Sequence, residues 1–168
     1  MRYAVVFSSK TGNTRRLAEE IRNHLGEASC RYFGVPDEAA LDADVVFAGF
    51  WTDRGDCEGA LAAYLESLTT QRLFLFGTAG FGGDPTYFAK ILANVQKHVP
   101  ATVSVIGSYM CQGQMQPAVR RRYEAMEDSP HRAAMLQNFD HALGHPNRAD
   151  LDGLLAAVSA ALAGEDWP

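Results

Sequence analysis

Five short runs of β-branched, aromatic and aliphatic residues constrain the fold most: Tyr3 to Phe7, Cys30 to Phe33, Val45 to Phe50, Leu73 to Phe76 and Val103 to Ile106. Most are continuously apolar rather than alternating, the pattern of strands covered on both faces. The intervening segments have helical spacing. Leu17, Ile21 and Leu25 recur every four residues, with Gly26 placed to stop the helix. Leu61, Leu65 and Leu68 mark a second helix. Phe88, Ile91, Leu92 and Val95 mark a third, with Asp84 as its cap and Pro85 in its first turn. Strands separated by helices pair in parallel, because a parallel pair needs a crossover connection, and such crossovers are right-handed. The expectation is an α/β domain with a parallel sheet wound on both sides.

After the fifth run the pattern changes. Residues from about 108 to 147 read as a helical insertion with two short helices. One follows Pro117 and uses Val119, Tyr123 and Met126; the other starts near Ser129 and Pro130 and uses Met135, Phe139 and Leu143. A last helix runs from about Asn147 through Leu151, Leu154, Leu155, Val158 and Leu162. The insertion is too small to build a core of its own, so residues 1–168 read as one domain.

Composition narrows the function classes. Hydrophobic residues make up 47% and charged residues 21%, as in ordinary soluble domains, and no apolar run approaches the roughly 20 residues that span a bilayer. The first residues have no signal-peptide pattern, so a cytoplasmic protein is expected. Cys30, Cys57 and Cys111 form no CxxC pair, which suggests neither a disulfide framework nor a zinc site. A net charge of -5 argues against nucleic-acid binding and is compatible with steering toward a basic partner.

The most informative stretch joins the first strand to the first helix. The strand ends at Phe7, Ser9-Lys10-Thr11-Gly12-Asn13-Thr14 follow, and a helix begins near Asn13. Helix N-termini at the carboxyl ends of parallel strands attract anions. Ser9, Thr11 and Thr14 offer hydroxyls, Gly12 lets the backbone come close, and amides from Lys10 to Thr14 would complete a cradle. Neither GxxxxGK[ST] nor GxGxxG is present. Hydroxyls without an obligatory cation suit a terminal phosphomonoester; the competing reading is an ordinary helix cap rich in Ser and Thr.

This loop resembles the [ST]-x-T-G-x-T phosphate loop of the flavodoxin family, and strand and helix order agree over about residues 1–107 and again in the final helix. The resemblance implies a flavodoxin-like doubly wound five-stranded parallel sheet of order 2-1-3-4-5, with helices on both faces, binding FMN. It puts the FMN phosphate on Ser9 to Thr14. It puts the flavin ring between the loops after the third and fourth strands, Gly49 to Asp56 and Gly77 to Asp84. Trp51 and Phe81 then become the stacking candidates, with Tyr87 or Phe50 as alternatives. Thr52, Asp53 and Gly55, with Thr78, Ala79, Gly80 and Gly82, complete the implied cofactor set. Gly55 resembles the glycine whose peptide reorients when the flavin is reduced. Asp53, Asp56 and Asp84 would lower the reduction potential if they faced the ring, or serve simply as turn and cap residues.

The insertion offers less chemistry. Cys111 reads as a packing residue and Gln112 as a hydrogen-bonding partner for ring or substrate. Arg120, Arg121 and Arg122 read as a solvated face. His141 and His145 have i,i+4 spacing, but Gly144 and Pro146 argue against a helical metal pair. CQGQM with the two extra helices resembles a flavodoxin subgroup of anaerobic bacteria associated with reduction of bilins such as bilirubin, where it would serve a separate reductase. No Ser/His/Asp or Cys/His set stands at the strand ends, so no catalytic residue is assigned. The favoured expectation is an electron carrier for a partner oxidoreductase. The alternatives are an FMN-dependent reductase acting directly on a quinone or bilin, and an interaction domain without turnover.

Overall fold

The structure, a computed structural model, describes residues 1–165. Its sheet has five parallel strands in the order β2-β1-β3-β4-β5: β1 (Tyr3–Phe7), β2 (Cys30–Gly34), β3 (Val45–Trp51), β4 (Arg72–Ala79) and β5 (Ser104–Gln112). The crossovers are α1 (Asn13–Leu25), α2 (Gly59–Glu66) and α3 (Pro85–Gln96); α4 (Pro117–Glu124), α5 (Pro130–Ala142) and α6 (Arg148–Ala163) follow the sheet. Short 3-10 turns at Glu27–Ser29 and Glu38–Leu41 flank β2. No described helix is long and apolar enough to cross a membrane.

Side chains alternate across each strand, so the sheet carries two cores. Val6, Val46, Phe50 and Leu75 pack against Leu61 and Leu65 of α2 and Ile91 and Val95 of α3. Val5, Phe47, Phe74 and Phe76 pack against Leu17 and Ile21 of α1 and Leu154 and Val158 of α6. The continuous apolar runs therefore mean what they were expected to mean. The expected Asp84 cap forms, accepting from the Thr86 amide at 2.9 Å, and α6 has in addition a reciprocal capping box of Asn147 and Asp150.

Besides β2, which gains only Gly34, three strands run further than their apolar runs. Trp51 belongs to β3, together with Gly49 and Phe50 where the strand and loop readings overlap, and Gly77 to Ala79 belong to β4, where the sequence reads a loop. The glycines misled because they are packing devices here. Gly49 is registered with Phe76, and Phe50 with Gly77. A Cβ on Gly49 would lie 2.3 Å from the Phe76 ring, and one on Gly77 would lie 2.4 Å from the Phe50 ring. Each ring covers the glycine of the other strand, one on each face of the sheet. Phe50 is consequently fully buried, which removes it as a ring stacker. The third strand is β5, an edge strand that continues to Gln112, so the insertion begins after residue 112 rather than at 108. Gly107, Ser108 and a register shift opposite Leu73 and Phe74 interrupt its apolar pattern.

Candidate functional site

Strand order reverses between β1 and β3, so the connections leaving their carboxyl ends diverge to opposite faces and leave a cleft. A cavity of about 440 Å³ lies at this end of the sheet, within the roughly 300–1,000 Å³ usual for small-molecule sites. Lys10, Thr11 and Asn13 line it together with Trp51, Thr52, Gly55, Thr78, Ala79, Gly80 and Phe81. A narrower cleft continues between Thr11, Asn13 and residues 114–117.

The loop after β1 is built as an anion cradle whose hydroxyls have distinct tasks. Ser9 Oγ accepts from the Gly12 and Arg15 amides at 3.2 and 3.3 Å, and so orders the start of α1. Thr11 Oγ1 accepts from Asn13 Nδ2 at 3.0 Å, which leaves its own proton available to an anion in the cavity. Thr14 does not line the cavity. It is fully buried and shares a hydrogen bond of 3.1 Å with the buried Thr78 hydroxyl, tying α1 to β4. Ser9 and Gly12 also lie outside the lining. The sequence reading gave Ser9, Thr11 and Thr14 the same job because a motif lists hydroxyls without saying which way they point.

The body of the cleft is set by strand ends. The Thr78 carbonyl accepts both the Thr52 amide (3.0 Å) and Thr52 Oγ1 (2.9 Å). Trp51 is half-buried at the end of β3, with Lys10 Nζ 5.0 Å from its ring centroid. Beyond it, Asp53 and Asp56 exchange backbone hydrogen bonds of 2.8 and 3.0 Å around Arg54 and Gly55, whose φ angles are +50° and +82°. Two consecutive positive φ values mark a tight primed hairpin turn, which glycine tolerates and arginine resists. The Gly55 carbonyl is held by Asn94 Nδ2 at 3.0 Å. Phe81 is exposed across the cleft, and half-buried Tyr87 also reaches the lining.

Several expectations change here. Asp53, Asp56 and Asp84 do not line the cavity: Asp84 caps α3, and Asp56 pairs with His98 Nε2 at 3.0 Å. Gly82 is also outside the lining; a Cβ there would meet the Gln112 side chain at 2.7 Å. Gln112 is buried and engaged within the protein. Its Nε2 donates to the Gly80 carbonyl (2.9 Å) and to Asn138 Oδ1 (3.1 Å), while its Oε1 lies 2.8 Å from His141 Nδ1. His141 and His145 stack at 5.2 Å, with His145 against Asp150 at 2.6 Å. Cys111 is buried in the α1/α6 core, where burial pushes its thiol up to about 12.

The stretch after the fifth strand was expected to reach the cofactor edge and the insertion to roof a pocket, but the α4 residues of the far wall were not singled out. Gly113 to Gln116 and Val119, Arg122 and Tyr123 of α4 close the cleft opposite the strand ends. Asn13 links the two sides, donating to the Gln114 carbonyl at 2.8 Å. The Arg120 to Arg122 run divides: Arg120 pairs with Glu124 and Asp140, whereas Arg122 faces the cavity. With Lys10 and Arg54, Arg122 gives the lining three cations and no carboxylate, in a chain of net charge -5. For α4 itself, the signal in the sequence was the helical spacing of Val119 and Tyr123.

The donors fit FMN: an anion cradle with a free hydroxyl and aromatic, glycine-lined walls border the same cavity. The flavodoxin domain model matches residues 4–159. The flavodoxin-like domain-containing protein BilS of Clostridium symbiosum (strain WAL-14163) is 39% identical over 190 residues, covering 98% of this chain and 100% of its own. BilS of Clostridioides difficile (strain CD3) is 28% identical over 162 residues, covering 90% of each. Among solved structures, a flavoprotein in complex with FMN from Lactobacillus acidophilus NCFM aligns with a TM-score of 0.51 at 12% identity, over 66% of this chain and 93% of that one.

Proposed function

Since the chain belongs to the flavodoxin domain family, we propose that it holds FMN in this cleft and carries electrons between that cofactor and a partner oxidoreductase in the cytoplasm. One observation supports this reading above the others: the anion cradle residues Thr11 and Asn13 and the aromatic residues Trp51 and Phe81 line a single cavity at the β1/β3 switch point. Bound FMN supplies one- and two-electron redox chemistry. The chain's own residues do the rest. Thr11 and the amides at the start of α1 would hold the phosphate, Lys10 would add positive charge to the cleft, and Trp51 and Phe81 would flank the ring.

The visible spectrum of purified protein, followed by titration with FMN, tests the cofactor. A colourless protein that takes up no FMN defeats it, and would favour an interaction domain without turnover. Anaerobic reductive titration tests the carrier role, which requires uptake in resolved one-electron steps.

The far wall supports a second reading, direct reduction of a small anionic acceptor. Arg54 and Arg122 are positioned to meet negative groups at the cleft, and Val119 and Tyr123 give an apolar surface beside them. Turnover of NAD(P)H with quinone or bilin acceptors in the absence of any partner protein separates the two. Efficient turnover selects the reductase; its absence, with rapid transfer to an added oxidoreductase, selects the carrier.

A further inference from the structure

Behind the hairpin after β3, three residues of different chemistry converge. Asp56 closes the hairpin, Cys57 follows it with only 8% of its surface exposed, and His98 sits in the turn after α3. One carboxylate oxygen, the Cys57 sulfur and one His98 ring nitrogen all lie within 4.8 Å of one another. None of the three lines the cofactor cavity.

The orientation of the imidazole is informative. Nε2 of His98 faces Asp56 Oδ2 at 3.0 Å, while Nδ1 faces Glu66 Oε1, at the end of α2, at 3.5 Å. Metal-ligating histidines have this arrangement: one nitrogen takes the metal and the other is held by a carboxylate that fixes ring and tautomer. A mixed oxygen, nitrogen and sulfur set suits zinc and similar borderline cations; calcium and magnesium prefer oxygen alone. The carboxylate and imidazole already stand at ligand spacing, while the sulfur, within 4.8 Å of both, would close to about 3.5 Å on ligation. Tetrahedral ligation with bonds of about 2.0 Å separates nitrogen and oxygen ligands by about 3.3 Å, close to the present 3.0 Å. Three protein ligands leave a fourth position for water.

We propose that Asp56, Cys57 and His98 form a divalent metal site of the zinc class, oriented by Glu66, which fastens the hairpin after β3 to the end of α3. The spacing explains why the sequence suggested no zinc site: Cys57 and His98 are 41 positions apart in no known short motif. Their meeting depends on α2, β4 and α3 lying between them. The consequence is local. Residues 53 to 56 carry the turn that holds Gly55 at the cavity, so an occupied site would stiffen one wall of it.

Calorimetric titration of chelator-stripped, otherwise intact protein with Zn²⁺ tests this. Cobalt supplies a second signal, because Co²⁺ bound by a thiolate gives intense d–d bands to the red of oxidised flavin. One Zn²⁺ per chain and a thiolate-type cobalt spectrum are expected. Cys57→Ser should abolish the cobalt signature and weaken zinc binding at least tenfold, Glu66→Gln should weaken it roughly tenfold, and Cys30→Ser should leave both unchanged. His98→Gln carries the test if the Cys57 variant does not fold. The proposal fails if the folded protein binds no zinc, or if both ligand variants bind it as tightly as the parent. These readouts do not depend on FMN, so their failure leaves the cofactor assignment standing.

Discussion

The cleft has two walls of unlike construction. The sheet-end wall is backed by buried packing: Thr14 against Thr78, the Thr78 carbonyl holding Thr52, and two aromatic rings seated on two glycines. The α4 wall is a short helix, none of whose residues is buried, held to α5 largely by the exposed contacts of Arg120 and by Arg132 donating to the Tyr123 and Glu124 carbonyls. Exposed ion pairs contribute little, whereas buried packing and buried hydrogen bonds cannot be lost cheaply. One wall therefore has the rigidity a cofactor needs. The other can change its side chains, and hence what approaches, at small cost to the fold.

The contrast can be broken by mutation. The largest effect is expected at the ring–glycine exchange. Phe50→Ala should cost about 3–5 kcal/mol and Gly77→Ala about 1–3 kcal/mol, both measured by urea unfolding. The double variant should fall well short of the sum, because the alanine at 77 then occupies part of the space the ring leaves. Full additivity would mean the two positions do not share one packing site.

Next come the loop threonines, which the sequence could not tell apart. Thr11→Val should weaken FMN binding roughly tenfold or more, the usual effect of losing a hydrogen bond to a charged group, with no change in unfolding midpoint. Thr14→Val should instead lower stability by about 1–2 kcal/mol, since Thr78 keeps a buried hydroxyl without its partner. Equal effects of both on FMN affinity would place Thr14 at the phosphate after all.

On the α4 wall, Arg122→Glu should leave stability and FMN affinity nearly unchanged while altering electron transfer to the acceptor several-fold, with the change shrinking at high salt. An unaltered rate would remove this wall from recognition. Smallest of all, Arg120→Ala should cost below about 1 kcal/mol in thermal unfolding, despite its pairs with Glu124 and Asp140. A larger loss would show that the two walls are fastened more alike than their burial suggests.

The division between walls is also a division in what the sequence could convey. The strands, crossovers and caps on the sheet side were legible because each depends on a local signal: a continuous apolar run, a four-residue repeat, Asp84 before Pro85. The identity of the phosphate loop was equally local. What failed were directions and long-range meetings. Gly49 and Gly77 read as loop residues because their ring partners lie one strand away. Gln112 read as a ligand contact because Asn138 and His141, which engage it, come from α5. Arg122 and Tyr123 were read in an insertion whose docking onto the cleft is encoded partly by Asn13, about a hundred residues earlier.

The two rings on two glycines have one more effect. In the observed register each ring meets the one residue on the neighbouring strand that lacks a β-carbon. Slide either strand by a single step, in either direction, and Phe50 and Phe76 both land opposite a residue that has one. The joint works like a dovetail, free to assemble in one position and jammed in all others. It sits immediately before Trp51 and Thr78, so it fixes how far each strand projects beyond the sheet. The aim of the cofactor walls is thus decided two residues below them, in the core.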